Sequence, residues 1–286
     1  STQGVSSAAS DVYKRQSADI AQIYLDEAAA VATRRERTVD RRALAWLQIV
    51  NAVATAAYLA VLAFALRADS VLASQTIVFS FLLWVQLASG MAQRSGMQRR
   101  LSWSKWPALL AGGLLVATAL VVFGFAVWAP GFPAIGVLIP PALVLVGLGG
   151  YGAVQLARAS GDVRPPRSHP QPLSRVIRWG TILVGVALGV LMTLASAPDG
   201  VLASVLVMLV LLMLFIWMFA FSSDLGLPAI GASWRWPHLA IFAVAVSALS
   251  GAVLLPVPLD AGALAGAAVI ILFVAVSFVP GRDLRD

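Results

Sequence analysis

The stretch WPALLAGGLLVATALVVFGFAVWAPGFPAIGVLIPPALVLVGLGGYGAVQLA, residues 106–157, holds 52 residues without a single Asp, Glu, Lys or Arg. A helix crosses the hydrocarbon core of a bilayer with about 20 mostly apolar residues. The stretch is therefore read as two membrane spans and their connection. The connection falls at Ala129-Pro130-Gly131-Phe132-Pro133, because proline and glycine interrupt helices. Pro140-Pro141 then marks the first turn of the following helix, or kinks it.

Working outward, further charge-free stretches run over 43–66, 70–93, 179–198, 200–223, 236–259 and 261–281. The prediction is an all-α polytopic integral membrane helix bundle of about eight transmembrane helices. Composition agrees: 60% of the 286 residues are hydrophobic and only 12% charged. A soluble domain carries about a quarter charged residues, and a disordered chain needs low hydrophobicity. Both classes are excluded.

The positions of Lys and Arg predict orientation. With the N-terminus inside, the inside segments (17–42, 94–105, 158–178, 224–235 and 282–286) collect 17 of them. The outside loops collect one, Arg67, and otherwise carry Asp69, Asp199 and Asp260. So one-sided a distribution fits the positive-inside rule. The formal charge of +7 is thus assigned to connectors facing an anionic leaflet, with the lipid bilayer as partner and no nucleic acid. Arginine-rich, alanine-rich composition points to a bacterial cytoplasmic (inner) membrane, with N- and C-termini cytoplasmic.

The expected organisation follows. Residues 1–16 are read as a disordered tail or a sequencing or assembly artefact, on the run Asp11-Val12-Tyr13-Lys14-Arg15-Gln16. Residues 17–42 form a cytoplasmic lead-in helix, with Ser17 at its N-cap and a weak apolar stripe of Ile20, Ile23, Tyr24 and Val31. Residues 43–157 hold helices 1–4. Residues 158–178 are a basic, proline-rich linker, 179–281 hold helices 5–8, and 282–286 are a tail. Trp46, Trp103, Trp106, Trp128, Trp179, Trp234 and Trp236 suit interfacial anchoring.

A shift of 130 residues superimposes Val71-Leu72-Ala73-Ser74 on Val201-Leu202-Ala203-Ser204. The same shift pairs Asp69 with Asp199, Lys105 with Arg235, Trp106-Pro107 with Trp236-Pro237, and Gly136 with Gly266. This suggests a 4+4 parallel internal repeat, halves 43–172 and 173–286, set against chance matching in so biased a composition.

The chemistry is sparse. Cysteine is absent, which leaves no disulfide, thiolate metal site or cysteine nucleophile. No Asp, Glu, Lys, Arg or His is assigned to a span interior. Proton relays, ion pathways and haem ligation within the membrane lack their residues, and so does intramembrane hydrolysis. Asp224 and His238 at the cytoplasmic edge are read as solvated loop residues. The chain is expected not to be an enzyme, with no catalytic residue, metal site or cofactor. Residues 144–152 match the spacing of a dinucleotide fingerprint, but no acidic residue or second strand follows. Close helix packing explains those glycines, as it explains Gly185 with Gly189 and Gly262 with Gly266.

One polar feature is organised. Gln48, Asn51, Thr55 and Tyr58 fall within about an 80° arc of the first span. Gln75, Gln86 and Gln155 add scattered amides in spans two and four. The stripe either lines a path for a solute or hydrogen-bonds to neighbouring helices, the second being the commoner use. Span six, Val205 to Phe221, reads as lipid-facing. The functional expectation is a transporter-like protein, or the membrane subunit of a transport complex, for an uncharged or lipophilic substrate. A separate ATPase or regulatory protein would be its partner. The alternative is a non-transporting membrane scaffold or signalling partner acting through segments 17–42 and 158–178.

A cysteine-free chain makes the topology directly testable. In intact cells, Ser104→Cys and Ser168→Cys should resist a membrane-impermeant maleimide, whereas Ala68→Cys should react. Labelling of either of the first two variants from outside overturns the orientation.

Overall fold

A computed structural model of the chain describes residues 20, 22–27, 40–68, 71–95, 106–129, 131–161, 170–197, 201–220, 223 and 225–281. The chain divides into two units, 1–40 and 41–286. In the first, residues 22–27 are helical and exposed, with Ile23, Tyr24 and Leu25 open. Val31 and Ser17 lie outside the described residues, as do Asp69, Trp103, Asp199 and Asp224.

The second unit is a helix bundle. Its elements are α1 (Arg41–Arg67), α2 (Val71–Arg94), α3 (Trp106–Trp128), α4 (the broken helix Ala134–Gly161), α5 (Arg175–Ala195), α6 (Val201–Phe219), α7 (Leu227–Ser233), α8 (Trp236–Leu254) and α9 (Leu259–Val276). Among the described residues seven helices are long and apolar enough to cross a membrane; the eighth expected span, α6, contributes a shorter apolar stretch, Ser204–Phe219. Among the described residues there is no strand, only an isolated bridge between Gln171 and Gly281.

Helix ends reach past the charge-free stretches. Arg41, Arg67, Arg94, Arg158, Arg175 and Arg178 all lie within helices, because a long arginine stem packs along the helix while its head reaches a polar level. The segment read as linker 158–178 therefore loses both ends to α4 and α5. Asp260, expected in a loop, occupies the first turn of α9, where a carboxylate complements the helix dipole.

Large apolar faces of α3 and α6 stand open, as a surface turned to lipid would. Among the described side chains of α6 only Val207, Leu211 and Leu214 are buried, an i, i+4, i+7 stripe, while Met208, Met213, Ile216 and Phe219 stand open. α3 behaves likewise, with Leu110, Leu114, Phe125 and Trp128 outward.

α4 contains a 3₁₀ turn (Ala134–Leu138), an α segment opened by Pro140-Pro141, a π segment (Leu145–Gly149) and a final α segment (Gly150–Arg158). The prolines start a helical segment, as expected. The glycines of the apparent dinucleotide motif serve packing: a Cβ on Gly147 would strike Leu115 of α3, and one on Gly152 would lie 2.9 Å from Ile49 of α1. In each of the two predicted halves the first span packs against the fourth, α1 on α4 and α5 on α9. The helix starts also keep the 130-residue shift, Val71 with Val201 and Trp106 with Trp236. Gly136 and Gly266 do not correspond in role, since Gly136 meets Phe132 of its own connection.

The α5–α9 contact shows why small residues are needed. A Cβ at Gly189 would sit 2.6 Å from the Gly266 carbonyl oxygen, and one at Gly266 would meet Thr193 and the Gly189 carbonyl. Gly185 faces Phe273 and Gly262 faces Ser196. Both small-residue pairs thus pack on each other's helices within one chain. Gly266→Val should therefore lower the melting temperature in detergent by the equivalent of about 1–3 kcal/mol. Gly112→Ala, with nothing within 4 Å of its Cβ, should leave it unchanged or raise it by up to about 1 kcal/mol. Equal losses would refute the packing assignment.

Candidate functional site

The segment 225–235, which the span pattern assigns to a solvated connector, instead runs into the bundle. Gly226 is extended, Leu227-Pro228 opens α7, and Leu227, Ile230, Gly231, Ala232 and Ser233 are all buried. Proline suits the first helical turn because its missing N–H has no partner there anyway. Trp217 Nε1 of α6 donates to the Leu225 carbonyl at 3.0 Å and fixes the approach.

α7 lies against α2 with backbones touching. A Cβ on Gly90 would strike the Pro228 carbonyl, and one on Gly231 would strike the Leu87 carbonyl. On another side, Gly180 of α5 meets Ile230. Only glycine permits such crossings, since any side chain would push the helices apart.

The exit of α7 is held by Arg94. Its Nη1 donates to the carbonyls of Ala232 at 2.7 Å and Trp234 at 3.3 Å. A short helix ends with unpaired carbonyls, and a cation there satisfies both hydrogen bonding and dipole. Arg67 does the same at the opposite end of the bundle: its Nε donates to Ala126 O of α3 and its Nη2 to Phe132 O, each at 2.9 Å. The single arginine on the predicted outer side is thus a carbonyl clamp.

Trp234, expected at the interface, is 2% exposed. Its Nε1 donates to Thr181 Oγ1 of α5 at 3.0 Å, and that hydroxyl donates to Ile177 O at 2.9 Å. The indole packs against His238, Phe242 and Phe273, ring centres 5.9–6.2 Å away. His238 is no solvated loop residue. It is 0% exposed in the first turn of α8, where the stack of aromatic rings excludes water. Its Nδ1 accepts from the Arg235 backbone N–H at 3.4 Å, which leaves the proton to Nε2.

The polar stripe of α1 is divided. Asn51 Oδ1 accepts from Trp84 Nε1 at 2.9 Å, and Tyr58 OH donates to the Ser80 carbonyl at 3.1 Å. Both tie α1 to α2. Gln48 lies beside Gly152 of α4, and Gln48 and Thr55 are half-buried. The structure does not bring the four together around a cavity. Gln155 bonds Tyr151 on its own helix at 2.8 Å, and Gln75 is exposed. An open apolar depression lies elsewhere, on α3, lined by Val121, Gly124, Phe125, Trp128 and Ala129.

Sequence reading misses α7 because it is too short to register as a span. Two signals are there: 225–234 carries no charge, and Gly226, Pro228 and Gly231 punctuate it as a tightly packed short helix would need.

Compared with protein-family models, curated proteins and solved structures, the chain matches none.

A double-mutant cycle tests the link between α7 and α5. Trp234→Phe and Thr181→Val should each destabilise by about 0.5–1.5 kcal/mol. The pair together should cost clearly less than their sum; strict additivity removes the hydrogen bond from the account.

Proposed function

We propose that this polytopic membrane helix bundle moves an uncharged or lipophilic substrate across the membrane, alone or as the membrane subunit of a transport complex. The observation behind this reading is α7, a short helix folded into the bundle where α2 of the first half meets α5 of the second. Irregular backbone inside a membrane protein is tolerated where protein encloses it or a cavity is lined, and interrupted helices at the junction of repeated halves mark substrate sites in known transport folds.

The substrate class rests on the charges of the spans themselves. Among the described residues, the only carboxylate in a span is Asp260, in the first turn of α9. A charged solute would find no counter-ion at depth. On this reading the protein is not an enzyme, and pumping would need a separate ATPase or regulatory partner. Its place is the cytoplasmic membrane of a bacterium, both ends inside. The scaffold reading has one observation in its favour: Asn51 and Tyr58 are occupied in bonds to α2 rather than lining a path.

In the described state α7 is clamped by Arg94. Arg94→Ala should raise the leak of an uncharged dye from proteoliposomes several-fold over the wild type, while Arg158→Gln, a charge lost at the far end of α4, should not. Flux absent from wild type and Arg94→Ala alike refutes transport.

A further inference from the structure

Two arginines at the start of α5 differ from Arg67 and Arg94. Arg178 places its guanidinium carbon 4.8 Å from the ring centre of Phe278, just past α9. Its Nε is buried without a hydrogen-bond partner. Arg175, one turn earlier, is exposed, and three residues along a helix bring the two onto one face. Among the described residues neither has an acidic partner, and neither caps a helix end as Arg67 and Arg94 do.

Their surroundings are those of a headgroup layer. Trp179 is 62% exposed and Phe278 63% exposed, large rings of the kind that settle at the membrane–water interface. Leu183 and Val274 continue the apolar surface deeper along α5 and α9. Guanidinium forks match phosphate oxygens in geometry and charge.

The geometry points to a binding site for an anionic phospholipid of the inner leaflet, its phosphodiester between Arg175 and Arg178 and its acyl chains against Trp179, Leu183 and Val274. Phe278 positions Arg178 by holding the guanidinium over its face. A soluble acidic protein fits less well, because exposed apolar rings flank the arginines and lead toward the hydrocarbon. The site does not depend on transport activity.

The test is lipid retention by the full chain, purified from mixed phosphatidylcholine–phosphatidylglycerol vesicles and read by native mass spectrometry. Wild type should retain phosphatidylglycerol preferentially. Arg175→Gln with Arg178→Gln should lower that preference about tenfold, and Phe278→Leu should lower it less. Arg158→Gln removes one charge at the end of α4 and should leave it intact. Loss of preference in Arg158→Gln to the same degree overturns the site in favour of general surface charge. Displacement of the lipid by millimolar inorganic phosphate overturns it in favour of a free anion. If the double variant fails to fold, Arg175→Gln alone, at an exposed position, is read by the same criteria.

Discussion

Inside a bilayer no water is at hand for a peptide group that leaves a helix, so the protein must supply every partner itself. Much of this structure follows from that constraint. Where α3 ends, Arg67 takes the Ala126 and Phe132 carbonyls. Where α7 ends, Arg94 takes those of Ala232 and Trp234. Both arginines sit in the last turn of a spanning helix and so reach a neighbour's end from a fixed base. Charge-assisted bonds of this kind contribute about 1.5–3 kcal/mol each. They also position: without Arg94, α7 would leave two carbonyls unpaired against apolar surroundings.

The spans are legible in the sequence because charge in a membrane protein is confined by solvation. A stretch of 52 residues without charge has few soluble explanations, and helices lie on each side of its predicted break. The eighth span is less clear-cut, α6 offering the shorter stretch Ser204–Phe219. Helix ends are underestimated when arginine is treated as a boundary, because its apolar stem lets the helix run on beneath the charge.

The site is not legible for a related reason. Reading by span length assigns anything between two spans to water, and α7 is seven residues long. His238 and Trp234 are misplaced with it: each belongs to a class that commonly sits at an interface, and nothing local says that α5, α8 and α9 close over them. Burial there is a tertiary fact, arising from glycine at 90, 180 and 231, whose effect depends on which helices cross. The glycine pairs of α5 and α9 are legible because their four-residue spacing is a local signature of close packing.

The polar stripe connects these two outcomes. An amide or phenol in a span must find a partner, and for Asn51 and Tyr58 the nearest partners are on α2, Trp84 Nε1 and the Ser80 carbonyl. Those bonds fix the helix that, further along, admits the backbone of α7 at Leu87 and Gly90 and clamps its exit through Arg94. Trp84 also stacks on Phe242 of α8, which in turn packs on Trp234. The stripe therefore bears on the buried segment through α2 rather than by lining a passage. A polar residue in a span thus reports first on how its helix is held, and only through that on any path the bundle provides.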